Sequence, residues 1–226
     1  MRASSTTIRQ RAAALLSLFL LASTGPAAAA QIVATVTDQE GRPLADAVVV
    51  AVPVQGVLPS TPPAAREIVD QIGQEFVPHV KLILVGTSVF FPNKDNIRHQ
   101  VYSFSSAKQF ELPLYAGTPA KPVVFDRPGV VVLGCNIHDW MVGYVYVSES
   151  PYFAKTGADG KAQLLDLPPL SYRVRVWHPR LQGSEGATQK AADLGADSRV
   201  DLSWKVVLKT EMRVRRAPVP GSRGHY

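Results

Sequence analysis

Three residues with metal-binding side chains follow one another at short, fixed spacing: Cys135, His138 and Met141, in the pattern C-x-x-H-x-x-M. This spacing places a thiolate, an imidazole and a thioether on one short loop. Upstream, His99 directly precedes a segment of alternating apolar residues and supplies a second imidazole. Two histidines, one cysteine and a weakly bound axial methionine are the ligands of electron-transfer copper sites. The residues therefore predict one copper ion bound by His99, Cys135, His138 and Met141.

The chain has a single cysteine, which limits the possible roles of its thiol. With one thiol in the chain, no intramolecular disulfide can form, and metal ligation gives the thiol another use. Taken alone, a cysteine or a methionine more commonly fills core space, so the copper prediction depends on the joint spacing. Methionine is a poor zinc ligand, and haem attachment needs a C-x-x-C-H motif that the chain lacks. Since four protein ligands imply no open coordination position, we do not expect an enzyme.

Residues beside these ligands suggest further roles. Asn136 follows Cys135 directly and could supply a hydrogen bond that orients a ligand. Trp140 lies between two ligands, where an indole could cover the site or simply pack. His79 has no partner at ligand spacing, and its approach to the site is a minority alternative.

Turn residues recur at short intervals between segments rich in valine, isoleucine and aromatic residues. This pattern predicts an all-β fold with a sandwich in residues 68–149. A helix fits only residues 64–70. The strands predicted for this sandwich are residues 80–84, 88–91, 101–104, 109–114, 123–125, 129–133 and 143–147.

The remaining β segments predict a second, smaller sandwich that the first one divides. Residues 32–37 and 47–54 are apolar around a Gly/Pro turn and predict a hairpin. A lone hairpin is marginal in water, so we expect residues 31–60 to pair with residues 151–211. The proline-rich residues 56–66 would be an extended linker. The strands predicted in the second half are residues 162–167, 172–177 and 201–208.

Three stretches carry a family resemblance: residues 86–95, residues 99–104, and residues 126–129 followed by Gly134 and Cys135. They resemble the cupredoxins, the family of plastocyanin, azurin and amicyanin, and the interval between His138 and Met141 is most similar to that of amicyanin. The resemblance implies a Greek-key sandwich with a type 1 copper ion. The wider arrangement is similar to bacterial methylamine-utilisation or plastocyanin-like proteins. Residues 36–47 and 156–177 resemble the two halves of a carboxypeptidase-regulatory-like sandwich.

The N-terminal residues have the order of a secretory signal. Arginines precede an apolar stretch at residues 12–22, and an alanine-rich segment ends at residue 30. We therefore predict a signal peptide over residues 1–30 and export to the periplasm. The apolar stretch is short for a membrane span; an uncleaved anchor is the alternative, and no stable membrane insertion is expected after cleavage.

The formal charge of +6 belongs to the ends of the chain. Residues 31–211 contain 17 basic and 18 acidic residues, a net charge of −1. This balance gives no reason to expect a nucleic-acid partner. Residues 212–226 are rich in proline, glycine and arginine and predict a disordered basic tail.

Two classes of function fit these observations. The first is an exported electron carrier, monomeric, whose copper ion changes oxidation state during transient docking on a redox protein partner. The alternative is a non-catalytic module that binds copper as a stored or structural ion, or that binds a partner or a glycan. A reversible midpoint potential would favour the first class, and capture of a surface partner regardless of copper would favour the second.

Overall fold

The computed structural model describes residues 30–56, 65–119, 121–196 and 198–210. The predicted signal peptide up to residue 29, most of the proline-rich linker and the predicted tail lie outside these residues. Within the described ranges, no helix is long and apolar enough to cross a membrane. Their regular structure is all strand except for a 3-10 turn at Glu185–Thr188, which confirms the all-β prediction.

The strands alternate with turns over the whole described length. In chain order they are β1 Ala30–Thr37, β2 Val48–Pro53, β3 Arg66–Ile68, β4 Asp70–Ile72, β5 Glu75–Val77, β6 Val80–Leu84, β7 Thr87–Phe90, β8 His99–Ser105, β9 Lys108–Tyr115, β10 Val123–Phe125, β11 Gly129–Leu133, β12 Gly143–Ser148, β13 Phe153–Lys155, β14 Lys161–Leu167, β15 Ser171–Trp177, β16 Lys190–Asp193 and β17 Arg199–Lys205.

Strands β3 to β12 form the middle sandwich. One layer has the order β11-β12-β6, with the β8-β9 pair joined to it where Tyr102 bridges Gly134. The other layer has the order β10-β7-β3. Alternate residues of these strands point inward and form one buried cluster, which includes Val89, Phe125 and Leu133.

Strands β1, β2 and β13 to β17 form the flanking sandwich. One sheet has the order β14-β1-β17 and the other the order β13-β2-β15-β16. A second buried cluster, which includes Ile32, Val49 and Val174, fills the space between them. The first two strands therefore pair with strands after residue 151, as the unpartnered apolar segments predicted.

Two local predictions are wrong. β1 and β2 do not form a hairpin, because each lies in a different sheet of the flanking sandwich. Hairpin loops usually have two to about five residues, whereas residues 38–47 are long enough to carry the chain across the core. Residues 64–70 are not helical where described: β3 lies parallel to β7, so pairing with a distant strand overrides the local preference.

A third buried cluster joins the two sandwiches. Val48 and Val50 of β2 pack against Val80 of β6 and Tyr146 of β12. Beside it, the Arg175 guanidinium donates to Glu149 at 2.7 and 2.8 Å and to Glu185 at 2.5 Å. The Tyr146 hydroxyl also donates to Glu185. The sandwiches thus share an apolar contact with a charged rim.

Candidate metal centre

The loop that carries three predicted ligands is held by tight packing at both ends. Gly134, between β11 and Cys135, exchanges two backbone hydrogen bonds with Tyr102, at 3.0 and 3.1 Å. A Cβ at Gly134 would lie 2.7 Å from the Tyr102 ring, and one at Gly143 would lie 2.7 Å from the Phe76 Cβ. At Gly143 the Cβ would meet the first side-chain atom of Phe76, which cannot move away without the backbone, whereas at Gly134 it would displace the outer end of the Tyr102 ring. The loop therefore starts and ends at fixed points of the sheet.

Three of the four predicted ligands come together at this loop. The ligand atoms of His99, Cys135 and His138 all lie within 4.8 Å of one another. Cys135 Sγ is 3.9 Å from His138 Nδ1, and the two imidazole rings are 4.9 Å apart at 63°. His99 and Cys135 are buried, whereas His138 is half-buried. Residues up to 39 positions apart in the chain thus present a thiol and two imidazoles to one point.

Met141, the fourth predicted ligand, lies in the core beneath the loop. It is 1% exposed and belongs to the same buried cluster as Cys135. Its backbone N–H donates to the His138 carbonyl at 2.9 Å, which closes a tight turn between the two residues. Its ligation of the metal stays a prediction.

One ring nitrogen of His99 has a partner and the other does not. Nε2 lies 2.8 Å from Asp95 Oδ2. Burial acts to raise the pKa of Asp95, but hydrogen bonds from the Gln74 N–H, from His99 and from the Gly73 N–H bring it below its usual range. An ionised carboxylate only accepts hydrogen bonds, so Nε2 carries the proton. In the neutral ring, Nδ1 then carries a buried lone pair without a hydrogen-bond partner, as a metal ligand would.

A hydrogen-bonded network supports the floor of the site. The Asn93 amide donates to the carbonyls of Ile97 at 2.8 Å and Tyr115 at 2.9 Å, which closes the loop before His99. The Tyr115 hydroxyl donates to the Phe91 carbonyl at 2.5 Å and accepts from Gln71 at 2.5 Å. Burial raises the pKa of Tyr115 to about 12, and a charged Cys135 adds to the shift although the Gln71 hydrogen bond opposes it. The tyrosine therefore stays neutral beside the thiol.

The residues next to the predicted ligands in the sequence differ in their burial and contacts. The Gln100 amide donates to Glu111 on the adjacent strand, at 2.5 Å, and Asn136 is exposed. The Trp140 ring packs 5.2 Å from that of His138. His79 does not belong to the group of ligand atoms; its ring lies 5.3 Å from Tyr144, in a cleft outside the site.

Asp95 is the polar neighbour of a predicted ligand that sequence reasoning missed. It lies four positions before His99, in a loop whose conformation no periodic pattern describes. A carboxylate at this distance from a predicted histidine ligand was the available signal, since metal-binding histidines commonly donate their second N–H to a carboxylate. The sequence around Asp95 gives no sign that its carboxylate accepts hydrogen bonds from Gly73 and Gln74, which are more than 20 positions away.

No protein-family model and no curated protein matches the chain. Among solved structures, an oxidised amicyanin mutant is 20% identical, and the match covers 36% of this chain and 80% of that chain at a TM-score of 0.33. A purple cupredoxin from Nitrosopumilus maritimus is 27% identical over 37% of this chain and 100% of that chain, at a TM-score of 0.33. A copper-containing nitrite reductase from Thermus scotoductus is 25% identical over 50% of this chain and 28% of that chain, at a TM-score of 0.35.

Proposed function

We propose that this chain is an exported mononuclear copper protein that carries single electrons. Two observations on one residue support this most: a ring nitrogen of His99 lies within 4.8 Å of the ligand atoms of Cys135 and His138, and the Nδ1 atom of the same buried ring has no hydrogen-bond partner. Leaving a buried polar atom without a hydrogen bond costs about 1 to 3 kcal/mol. Such a cost is explained if the atom binds a metal ion.

The donor set fits copper better than the other common metals. Thiolate and thioether ligands suit Cu(I), and imidazole suits both oxidation states, whereas carboxylates, which hard cations prefer, are not among the ligand atoms. His99, Cys135 and His138 would hold the ion, with Met141 as the weak axial ligand. A copper ion bound there would supply reversible one-electron redox chemistry.

The protein part of this function is to hold the ligands still. Cys135 and His138 lie on a loop fixed at Gly134 and Gly143, and His99 begins β8 in the neighbouring pair of strands. Ligands held in this way keep nearly the same positions in both oxidation states, so little rearrangement accompanies electron transfer. The four protein ligands favour an electron carrier over an enzyme.

The surroundings of the loop suggest where a partner docks. His138 is half-buried, and the adjacent Ile137 is 48% exposed, so an imidazole edge lies beside apolar surface. On another side of the loop, Trp140 lines a cleft of about 430 Å³ whose opposite wall includes His178 and Arg180 of the flanking sandwich. The flanking sandwich therefore restricts access from that side. We infer a transient contact with a redox protein through the Ile137 side, made by a monomer in the periplasm.

The test is to load purified mature protein with Cu(II) and record its visible absorption, followed by voltammetry. We expect a strong thiolate-to-copper charge-transfer band and a reversible potential. His99→Ala should lose the band, whereas His79→Ala, which changes a histidine outside the group, should keep it.

Other results would contradict the proposal in distinct ways. A wild-type protein that binds zinc but shows no charge-transfer band with copper would rule out the copper site. A band without a reversible potential would support the alternative, a module that stores copper or uses it structurally. Retention of the band in His99→Ala would remove that residue from the ligand set.

A further inference from the structure

The Asp95 carboxylate lies between a metal-site histidine and a hairpin turn of another pair of strands. Its Oδ2 accepts from His99 Nε2 at 2.8 Å and from the Gln74 N–H at 2.8 Å. Its Oδ1 accepts from the Gly73 N–H at 2.6 Å. The side chain is 14% exposed, and that of its histidine partner is fully buried. Three donors thus converge on one carboxylate.

The turn that supplies two of these donors has an unusual backbone. Gly73 and Gln74 connect β4 to β5 and have φ values of 62° and 63°. Two consecutive residues in this left-handed region are typical of a two-residue hairpin turn. Their backbone N–H groups point at Asp95, so the main chain fixes the carboxylate. Asp95 is therefore positioned before any metal binds.

We propose that Asp95 is a positioning residue for the metal site, which selects the Nε2–H form of His99 and so makes Nδ1 the donor atom. This inference rests on the proposed function. Carboxylate partners orient metal-binding histidines and make them stronger donors, and their loss typically lowers metal affinity about 10- to 100-fold. A stronger imidazole donor favours Cu(II), so Asp95 also lowers the reduction potential.

A purely structural role predicts something else. In that role the carboxylate would only tie the β4-β5 turn to the loop before β8. Its replacement would lower thermal stability but would leave the tautomer of His99 and the potential unchanged. The flanking sandwich offers a matched control: Asp38 Oδ1 also accepts from two turn amides, those of Glu40 at 3.0 Å and Arg42 at 2.9 Å.

The first measurement needs neither a variant nor copper. Nitrogen NMR of the imidazole rings in metal-free wild-type protein distinguishes the two neutral tautomers. We expect His99 to carry its proton on Nε2. A proton on Nδ1 in the wild-type protein would overturn the inference even if Asp95→Asn did not fold.

The second measurement compares Asp95→Asn with Asp38→Asn. In Asp95→Asn, we expect a shift of the His99 tautomer population, about 10- to 100-fold weaker copper binding and a higher reduction potential. In Asp38→Asn, we expect none of these changes. If wild-type protein shows the charge-transfer band but Asp95→Asn keeps its affinity and potential, Asp95 has only a structural role. If wild-type protein itself shows no band, the copper proposal fails, while the tautomer measurement still decides what Asp95 does to His99.

Discussion

The two sandwiches of this chain differ in how completely their buried polar side chains are hydrogen-bonded. Among the described residues, the buried side-chain atoms without a hydrogen-bond partner all belong to the middle sandwich and its loops: those of Asp70, Gln71, His99 and Trp140. In the flanking sandwich, the buried hydroxyl of Thr156 donates to the Leu44 carbonyl at 2.7 Å and accepts from the Ala47 N–H at 2.9 Å. Among the described residues, the buried side-chain polar atoms of the flanking sandwich therefore all have hydrogen-bond partners, whereas some of those in the middle sandwich do not.

This difference indicates that the two sandwiches have different roles, one mainly in stability and the other in holding the ligands. Unpartnered buried polar atoms destabilise a fold, so a protein retains them mainly where they have a use. His99 Nδ1 has such a use if a metal binds. The flanking sandwich packs along β12, where Val48 and Val50 contribute apolar area against Tyr146. We infer that it supports the middle sandwich, which holds the ligands.

The largest effect should come from deleting residues 31–54. This deletion removes β1, which lies between β14 and β17, and β2, which lies between β13 and β15. We expect the flanking strands to lose protection in hydrogen exchange, while the copper band of the middle sandwich persists. Loss of the band together with all protection in one cooperative transition would show that the sandwiches do not fold as separate units. The division at residues 68–149 would then be wrong.

Cys135→Ser should abolish the charge-transfer band, because Cys135 is the only thiol in the chain. Copper should raise the thermal midpoint of the wild-type protein, since a ligand that binds only the folded state stabilises it. The variant should lose that gain but keep the midpoint of the metal-free protein. Calorimetry with and without copper measures both. A blue variant would exclude Cys135 as a ligand.

Thr156→Val tests the flanking sandwich. The substitution keeps the size of the side chain but leaves the Leu44 carbonyl and the Ala47 N–H without their partner. We expect the free energy of unfolding to fall by about 1 to 3 kcal/mol, as for other buried groups left unsatisfied. Denaturant titration followed by circular dichroism measures this, and the visible band serves as the control that should not change. An unchanged free energy would mean that the hydrogen bonds contribute nothing net.

Met141→Gln tests the fourth ligand. A harder axial oxygen favours Cu(II) over Cu(I) more than a thioether does, so the reduction potential should fall while copper stays bound. Voltammetry of the copper-loaded variant measures the potential. Because Met141 is buried in the core, the stability of the metal-free variant is the necessary control. The same potential in both proteins would show that Met141 is not axial.

Trp140→Phe should have the smallest effect and is the counterpart of Thr156→Val. It removes an indole N–H that is buried without a partner, together with part of the ring. The lost packing and the removed polar group oppose each other, so we expect the free energy of unfolding to change by less than about 1 kcal/mol. Denaturant titration of the metal-free protein measures it. A loss as large as that of Thr156→Val would mean that the lost ring packing outweighs the gain from removing the N–H.

Local patterns predicted much of this structure. The strands at residues 80–84, 123–125 and 129–133 have the bounds expected from their apolar segments and flanking turns. The spacing of Cys135 and His138 also placed both side chains on one loop. These features depend on residues close in the chain, where side-chain alternation and turn preferences act directly.

Other features depended on distant contacts. The segments before and after residues 38–47 looked like a hairpin, but burial of both strands in one core put them in different sheets. Residues 64–70 had a weak helical preference, and pairing of β3 with β7 overrode it. Such outcomes follow from the burial of apolar area against partners far away in sequence.

In the candidate site, too, some features follow from the local sequence and others from contacts between distant segments. The amino-acid sequence by itself determined which donors exist and that Cys135, His138 and Met141 share a loop. Only the tertiary structure brought His99 within 4.8 Å of that loop and paired its Nε2 with Asp95, which leaves Nδ1 facing no other partner. The physical reason is that the Asp95 carboxylate is fixed by the Gly73 and Gln74 amides of a separate hairpin. A hydrogen bond between segments that are joined only by folding cannot be predicted from either segment alone.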